Sequence, residues 1–134
     1  MRRFSTRKAG DVMSLKIEIE TIRARVTKVQ LSGRLDSETT PQLDELLIGL
    51  LAGETTTVVY DLERLEYISS AGLRAIFFTA KELEKISGEM VVINPRPQVQ
   101  KVFDVVKAIP IQSVFKSWEE VDAYLDGIQR AAVE

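Results

Sequence analysis

The stretch from Thr57 to Leu83 changes its hydrophobic period once, and that change constrains the fold more than any other feature of the chain. Thr57-Val-Val-Tyr-Asp-Leu62 is an almost unbroken β-branched and apolar run, the pattern of a strand covered on both faces, and is expected at the centre of a sheet. Beyond Ile68-Ser-Ser-Ala-Gly72, the residues Leu73, Ile76, Phe77, Ala80 and Leu83 recur at helical spacing until Ser87-Gly88. A strand feeding a helix across a few small residues implies α/β layering. The same turn puts Ser69 and Ser70 at the N-terminus of a helix that begins near Ala71. Unpaired N–H groups and the positive end of the helix dipole stabilise negative charge there, so a serine at this point can carry a phosphate.

The flanking segments extend the pattern. Leu15, Ile17 and Ile19 alternate with Lys16, Glu18 and Glu20 as in a half-buried strand, and Thr27, Val29 and Leu31 share one face of a second. Ser32-Gly33 is expected to break that strand and leave Asp36 in a loop. Thr40 reads as an N-cap with Pro41 at the first helical position, and Leu43, Leu46, Leu47 and Leu50 form an apolar stripe ending at Gly53. Met90 to Ile93 reads as a buried strand stopped by Asn94-Pro95. A helix follows from Gln98 to Lys107, with Val99, Val102, Phe103 and Val106 inward, until Pro110 interrupts it. A brief strand is expected around Val114-Phe115. Ser117 and Glu120 form a capping box for a last helix carrying Val121, Tyr124, Leu125 and Ile128. The order β-β-α-β-α-β-α-(β)-α implies one α/β domain, a mixed sheet of four to five strands packed with about four helices.

Composition narrows the function. The 134 residues fit one domain, and a hydrophobic content of 45% is enough for a core. Eighteen basic and 20 acidic residues leave a net charge of −2, which provides no broad positive field for nucleic acid or anionic lipid. Without cysteine or histidine, disulfides, thiol catalysis and the commonest general base and metal ligand are all ruled out. No apolar run reaches the ~20 residues of a membrane span, and no signal peptide opens the chain, so a cytoplasmic location is expected. Residues 1–14, with Arg2, Arg3, Arg7 and Lys8 against Asp11, are expected to form a flexible basic tail ahead of the domain at 15–130, with 131–134 a short C-terminal tail.

Single residues carry two readings each. Ser70 is either a modified hydroxyl or an ordinary N-cap contributing roughly 1 kcal/mol, and Ser69 is the alternative for both roles. Gly72 is structural, since a missing Cβ lets helix and strand approach closely, and Ala71 beside it belongs to the same tight turn. Arg74, Phe78, Lys81 and Lys85 form an outward row at helical spacing, in which Phe78 is either an interface anchor or a widening of the core stripe. Trp118 is either a hydrophobic cover or a binding residue. An enzyme is disfavoured. Ile-Ser-Ser-Ala-Gly-Leu is not the Gly-x-Ser-x-Gly elbow, Lys81 and Lys85 lie too far along the helix to pair with Ser70, and no phosphate-binding loop or metal-ligand spacing occurs. No catalytic residue, metal, cofactor or small-molecule ligand is expected.

Ile68-Ser-Ser-Ala-Gly-Leu73 after Asp61-Leu62, Leu31-Ser-Gly-Arg-Leu-Asp36 with Thr39/Thr40-Pro41, and Gly88-Glu-Met-Val-Val-Ile93 together resemble an anti-sigma factor antagonist, the STAS domain. The resemblance extends from Leu15 to about Leu125. Family members commonly read Asp-Ser-Ser/Thr-Gly-Leu at the switch, which places the phosphorylated serine at Ser70, with Ser69 in place of the aspartate and Ala71 in place of the second hydroxyl residue. The resemblance implies partner switching. The unphosphorylated domain binds a serine kinase that is also an anti-sigma factor, releasing its sigma factor, and phosphate on Ser70 breaks that complex. It also implies a partner surface of Asp36, Ser69, Ser70, Arg74 and Phe78, and leaves room for a serine phosphatase. Asp36 either faces the phosphate and the kinase or merely caps a turn. The competing role is a constitutive scaffold, or a subunit of a signalling or lipid-transport complex without phosphoregulation.

Overall fold

The computed structural model describes residues 3–7 (backbone only), 15–108 and 114–133. Five strands and four long helices alternate along it: β1 (Arg3–Arg7), β2 (Leu15–Arg23), β3 (Val26–Leu35), α1 (Thr40–Leu51), β4 (Thr57–Ile68), α2 (Ser70–Glu84), β5 (Glu89–Ile93), α3 (Pro97–Ala108) and α4 (Trp118–Val133). The strands lie in the order β1-β2-β3-β4-β5. The first two pairings are antiparallel and the last two parallel, with α1 and α2 as the crossovers that parallel neighbours require. The sheet is thus mixed, as the element order implies.

Alternation along the strands decides which face is covered. Leu15 and Ile17 on β2, Thr27, Val29 and Leu31 on β3, and Val58, Tyr60 and Leu62 on β4 are all buried. They meet Leu43 and Leu47 of α1, Leu73, Ile76 and Leu83 of α2, Val99 and Val102 of α3, and Val121 and Leu125 of α4 in one cluster. Truncating any of the central leucines to alanine removes about 2–5 kcal/mol in a core of this kind. No described helix is long and apolar enough to cross a membrane.

The structure departs from the sequence reading at six places. Arg3–Arg7, expected within a flexible tail, pairs antiparallel with β2, whose outer edge offers free N–H and C=O groups. Ser32-Gly33 does not end β3. The strand continues to Leu35 while its register against β4 shifts near Gly33, where a φ of 102° accommodates the irregularity. Thr39, not Thr40, precedes the first turn of α1, and its hydroxyl donates to the Arg34 carbonyl rather than capping the helix. Helix α2 starts at Ser70, and the inward position on its third turn is Thr79, which bonds Tyr60, while Phe77 stays exposed. β5 is a half-exposed edge strand rather than a buried one. Val114 and Phe115 belong to no strand, and Pro110 lies outside the described residues.

β4 extends six residues beyond the run that marks it in sequence, and β5 covers only its first half, Thr57 to Asp61. The exposed edge that remains is closed by side chains. Arg96 Nε donates to the Glu63 carbonyl (2.9 Å), Gln98 Nε2 to that of Glu66 (3.2 Å), and Gln129 bonds both backbone groups of Ile68. This is what carries β4 intact to the turn at Ser69.

Candidate functional site

Ser69 has extended backbone (φ −99°, ψ 177°) and its Oγ accepts from Gly72 N (3.3 Å), the N-cap geometry of α2. Its N–H donates to the Leu35 carbonyl (2.9 Å), which ties the turn to the end of β3. The hydroxyl of Ser69 is therefore engaged. Ser70 is the first helical residue, and its hydroxyl has no hydrogen-bond partner among the described residues. The two adjacent hydroxyls differ in this structure by one hydrogen bond.

Gly72 sits where β3, β4 and α2 converge. A Cβ there would lie 2.7 Å from the Leu35 carbonyl oxygen, 2.8 Å from Leu35 Cγ and 2.9 Å from Ile68 Cγ1, closer than any side-chain carbon tolerates. The expected structural role follows from that contact. Ala71 is half-buried in the same turn.

Asp36 caps the turn between β3 and α1. Its Oδ1 accepts from Glu38 N (3.0 Å) and Thr39 N (3.1 Å), and Oδ2 lies 3.5 Å from Arg34 Nε. The turn-capping reading of Asp36 is thus realised in the geometry. The residue also lines, with Arg34, Thr39, Tyr67, Ser69 and Asp122, a depression of about 330 Å³ beside the start of α2. Arg34 stacks its guanidinium 3.9 Å over the Tyr67 ring. Burial raises the Tyr67 pKa above the ordinary 10.0, as does Asp126; Arg34 opposes them, and Asp122 and Asp36 add to the rise. The phenol is neutral at neutral pH in this acidic setting.

The outward row of α2 is exposed along its length. Phe78 is 48% exposed, so it does not widen the core stripe, and Arg74, Lys81 and Lys85 flank it. Arg74 places its guanidinium 4.1 Å over the ring of Trp118, which is itself 45% exposed at the start of α4. Ser117 caps that helix by accepting from Glu120 N (3.2 Å), while the Glu120 carboxylate accepts from Lys116 N. Aromatic and cationic side chains thus gather on one surface next to Ser70, the composition of an interface anchor.

Three residues of the site, Tyr67, Asp122 and Gln129, are absent from the sequence reading. Asp122 Oδ1 accepts from Ser70 N (2.8 Å). Gln129, only 3% exposed, accepts from Ile68 N (2.9 Å) and donates to the Ile68 and Leu125 carbonyls. The signal available for Gln129 was an amide in the apolar stripe at Val121, Leu125 and 129; Asp122 offered none, because its partner is 52 residues away. Among the described residues no group of His, Cys, Asp and Glu is arranged to hold a metal ion.

The chain belongs to the STAS domain family, whose profile matches residues 16–121. Within it the similarity is to anti-sigma factor antagonists. BtrV of Bordetella bronchiseptica, assigned to that class, is 38% identical over 93 residues, 69% of this chain and 80% of BtrV. Among solved structures, the anti-sigma factor antagonist SpoIIAA in its unphosphorylated form is 27% identical with a TM-score of 0.63, over 68% of this chain and 80% of that one. The phosphorylated form of SpoIIAA, a Bacillus cell fate determinant, superposes with a TM-score of 0.59 at 26% identity, over 67% of this chain and 82% of that one. The fold and the family expected from the switch motif are those found.

Proposed function

We propose that the protein is an anti-sigma factor antagonist that works by partner switching and carries no catalytic activity of its own. The unphosphorylated domain binds an anti-sigma serine kinase through the surface around Ser70, Arg74 and Phe78, with Asp36 and Ser69 at its margin, and so releases a sigma factor. Phosphorylation of Ser70 abolishes the complex, and a serine phosphatase restores it. The observation that carries this reading is the position of Ser70: the first residue of α2, with an unbonded hydroxyl, beside an exposed aromatic and cationic row. Phosphate there adds about −1.5 to −2 charges to a surface that would pack against the kinase. The structures of a relative in phosphorylated and unphosphorylated forms are consistent with a switch at the level of the family.

One observation favours a second reading. Ser70 is only 3% exposed, which suits a constitutive scaffold or a subunit of a signalling or lipid-transport complex better than an open kinase substrate. Mass spectrometry of the chain after incubation with the candidate kinase and ATP separates the two. The switch predicts stoichiometric phosphate at residue 70, absent from Ser70→Ala, and kinase binding that survives Ser70→Ala but is lost in Ser70→Asp. No phosphate at either serine under an active kinase, or binding unaffected by Ser70→Asp, would favour the constitutive role.

A further inference from the structure

We propose that α4 is a gate over Ser70: Asp122 holds the Ser70 amide in the closed state, and a phosphate on Ser70 expels α4 from its seat. The inference rests on Ser70 being the switch residue. As the first residue of α2, Ser70 has an N–H with no acceptor inside its own helix, and Asp122 Oδ1 at 2.8 Å takes that place. The partial positive charge of the helix end is thus already matched by a carboxylate from a distant element.

The geometry makes the carboxylate and a phosphate competitors. A phosphate on the Ser70 hydroxyl would seek the same orphan N–H and the same helix end, and would stand against Asp122 as a like charge. Relief from the surroundings is limited. Asp36 and Glu38 line the same depression, its arginine, Arg34, is already directed at Asp36 and Tyr67, and Arg74, one turn along α2, is stacked on Trp118 of α4 itself. With Asp122 of α4 on its amide, Ser70 is only 3% exposed. Gln129 grips Ile68 two residues before Ser70, so the same helix holds both sides of the turn. Asp122 and Gln129 both lie beyond residues 16–121, the span that matches the family profile.

The test uses the full chain in three forms: unmodified, with genetically encoded phosphoserine at position 70, and with that phosphoserine together with Asp122→Asn. Hydrogen exchange followed by NMR reads the Leu125 amide, on the buried face of α4, and the Ile68 amide, which Gln129 holds. Phosphoserine is expected to speed exchange at one or both by about tenfold relative to the core residue Val29, the scale of losing one well-made hydrogen bond, and Asp122→Asn to reverse most of that gain. Equal protection in the unmodified and phosphoserine forms would overturn the gate, as would an acceleration that Asp122→Asn leaves unchanged. If the phosphoserine chain does not fold, the thermal transition decides: its recovery by Asp122→Asn supports the gate and its continued absence overturns it. No kinase is involved, so a failure of the gate and a failure to find phosphate on Ser70 are separate results.

Discussion

At the scale of single residues, Gly72 and Tyr60 are the positions where the structure imposes the tightest requirements. Gly72→Ala forces a methyl group onto the Leu35 backbone and side chain, and the mismatch can be relieved only by moving a strand end. A loss of about 1–3 kcal/mol is expected from denaturant unfolding, typical of overpacking at a well-filled contact. Tyr60 is fully buried and its hydroxyl lies 2.7 Å from Thr79 Oγ1. Burial raises its pKa above 10.0, the Thr79 hydrogen bond pulls it back, and Asp44 adds to the rise. Because the folded state prefers the neutral phenol, the associated stability is present in full below the unfolded pKa of about 10 and is lost as pH rises beyond it. Tyr60→Phe should therefore flatten the alkaline limb of a stability profile measured between about pH 9 and 11. At neutral pH it should cost only about 1 kcal/mol, since Thr79 keeps its bond to the Ala75 carbonyl.

At the scale of elements, α2 has two faces of different character. Its inner face, Leu73, Ile76 and Leu83 with Thr79 between them, builds the core. Its outer face presents Arg74 stacked on Trp118, with Phe78 exposed one turn further along. Phe78→Asp tests that division. Stability should change by no more than about 0.5 kcal/mol, as for other exposed positions, and affinity for the kinase proposed as its partner should fall by about tenfold or more, as for an aromatic anchor. Titration calorimetry with the kinase and a thermal melt of the free variant measure the two effects separately. Equal affinity with an unchanged melt would place the interface elsewhere.

At the scale of the whole molecule, the C-terminal helix closes a structure whose sheet is incomplete. β5 is too short to pair with the second half of β4, and the open edge is taken up by Arg96 just before α3, Gln98 of α3 and Gln129 of α4. Gln129→Ala strips both backbone groups of Ile68 of their partner in a buried setting, and a loss of about 2–3 kcal/mol is expected. Trp118, the sole tryptophan, sits on α4 and reports its docking by fluorescence, while far-UV circular dichroism reports all elements. If α4 is integral to the fold, both probes in Gln129→Ala shift to the same lower midpoint; separate midpoints would mean that α4 unfolds on its own.

What the sequence determined by itself was whatever depends on periodicity and short-range chemistry. The β-branched run at Thr57 and the leucine and valine stripes set the α/β order and the core, and Ser69-Ser70-Ala71-Gly72 marked the strand-to-helix turn. The Ser117 cap on Glu120 N was legible because both lie within one turn, although the Glu120 carboxylate takes the Lys116 N–H in place of the Ser117 N–H of the expected capping box. Local signals proved weakest where two chemistries compete over a few residues: Gly33 reads as a strand end but forms an irregularity within β3, and Thr39 takes the place expected of Thr40. Only the tertiary structure decided which of two adjacent serines has a free hydroxyl, and that Phe78 faces solvent. It alone brought Asp122 to Ser70 and Gln129 to Ile68, across 52 and 61 residues. A hydrogen bond of that separation leaves no periodic trace, because its geometry is set by how helices pack on the sheet and not by the residues adjacent in the chain.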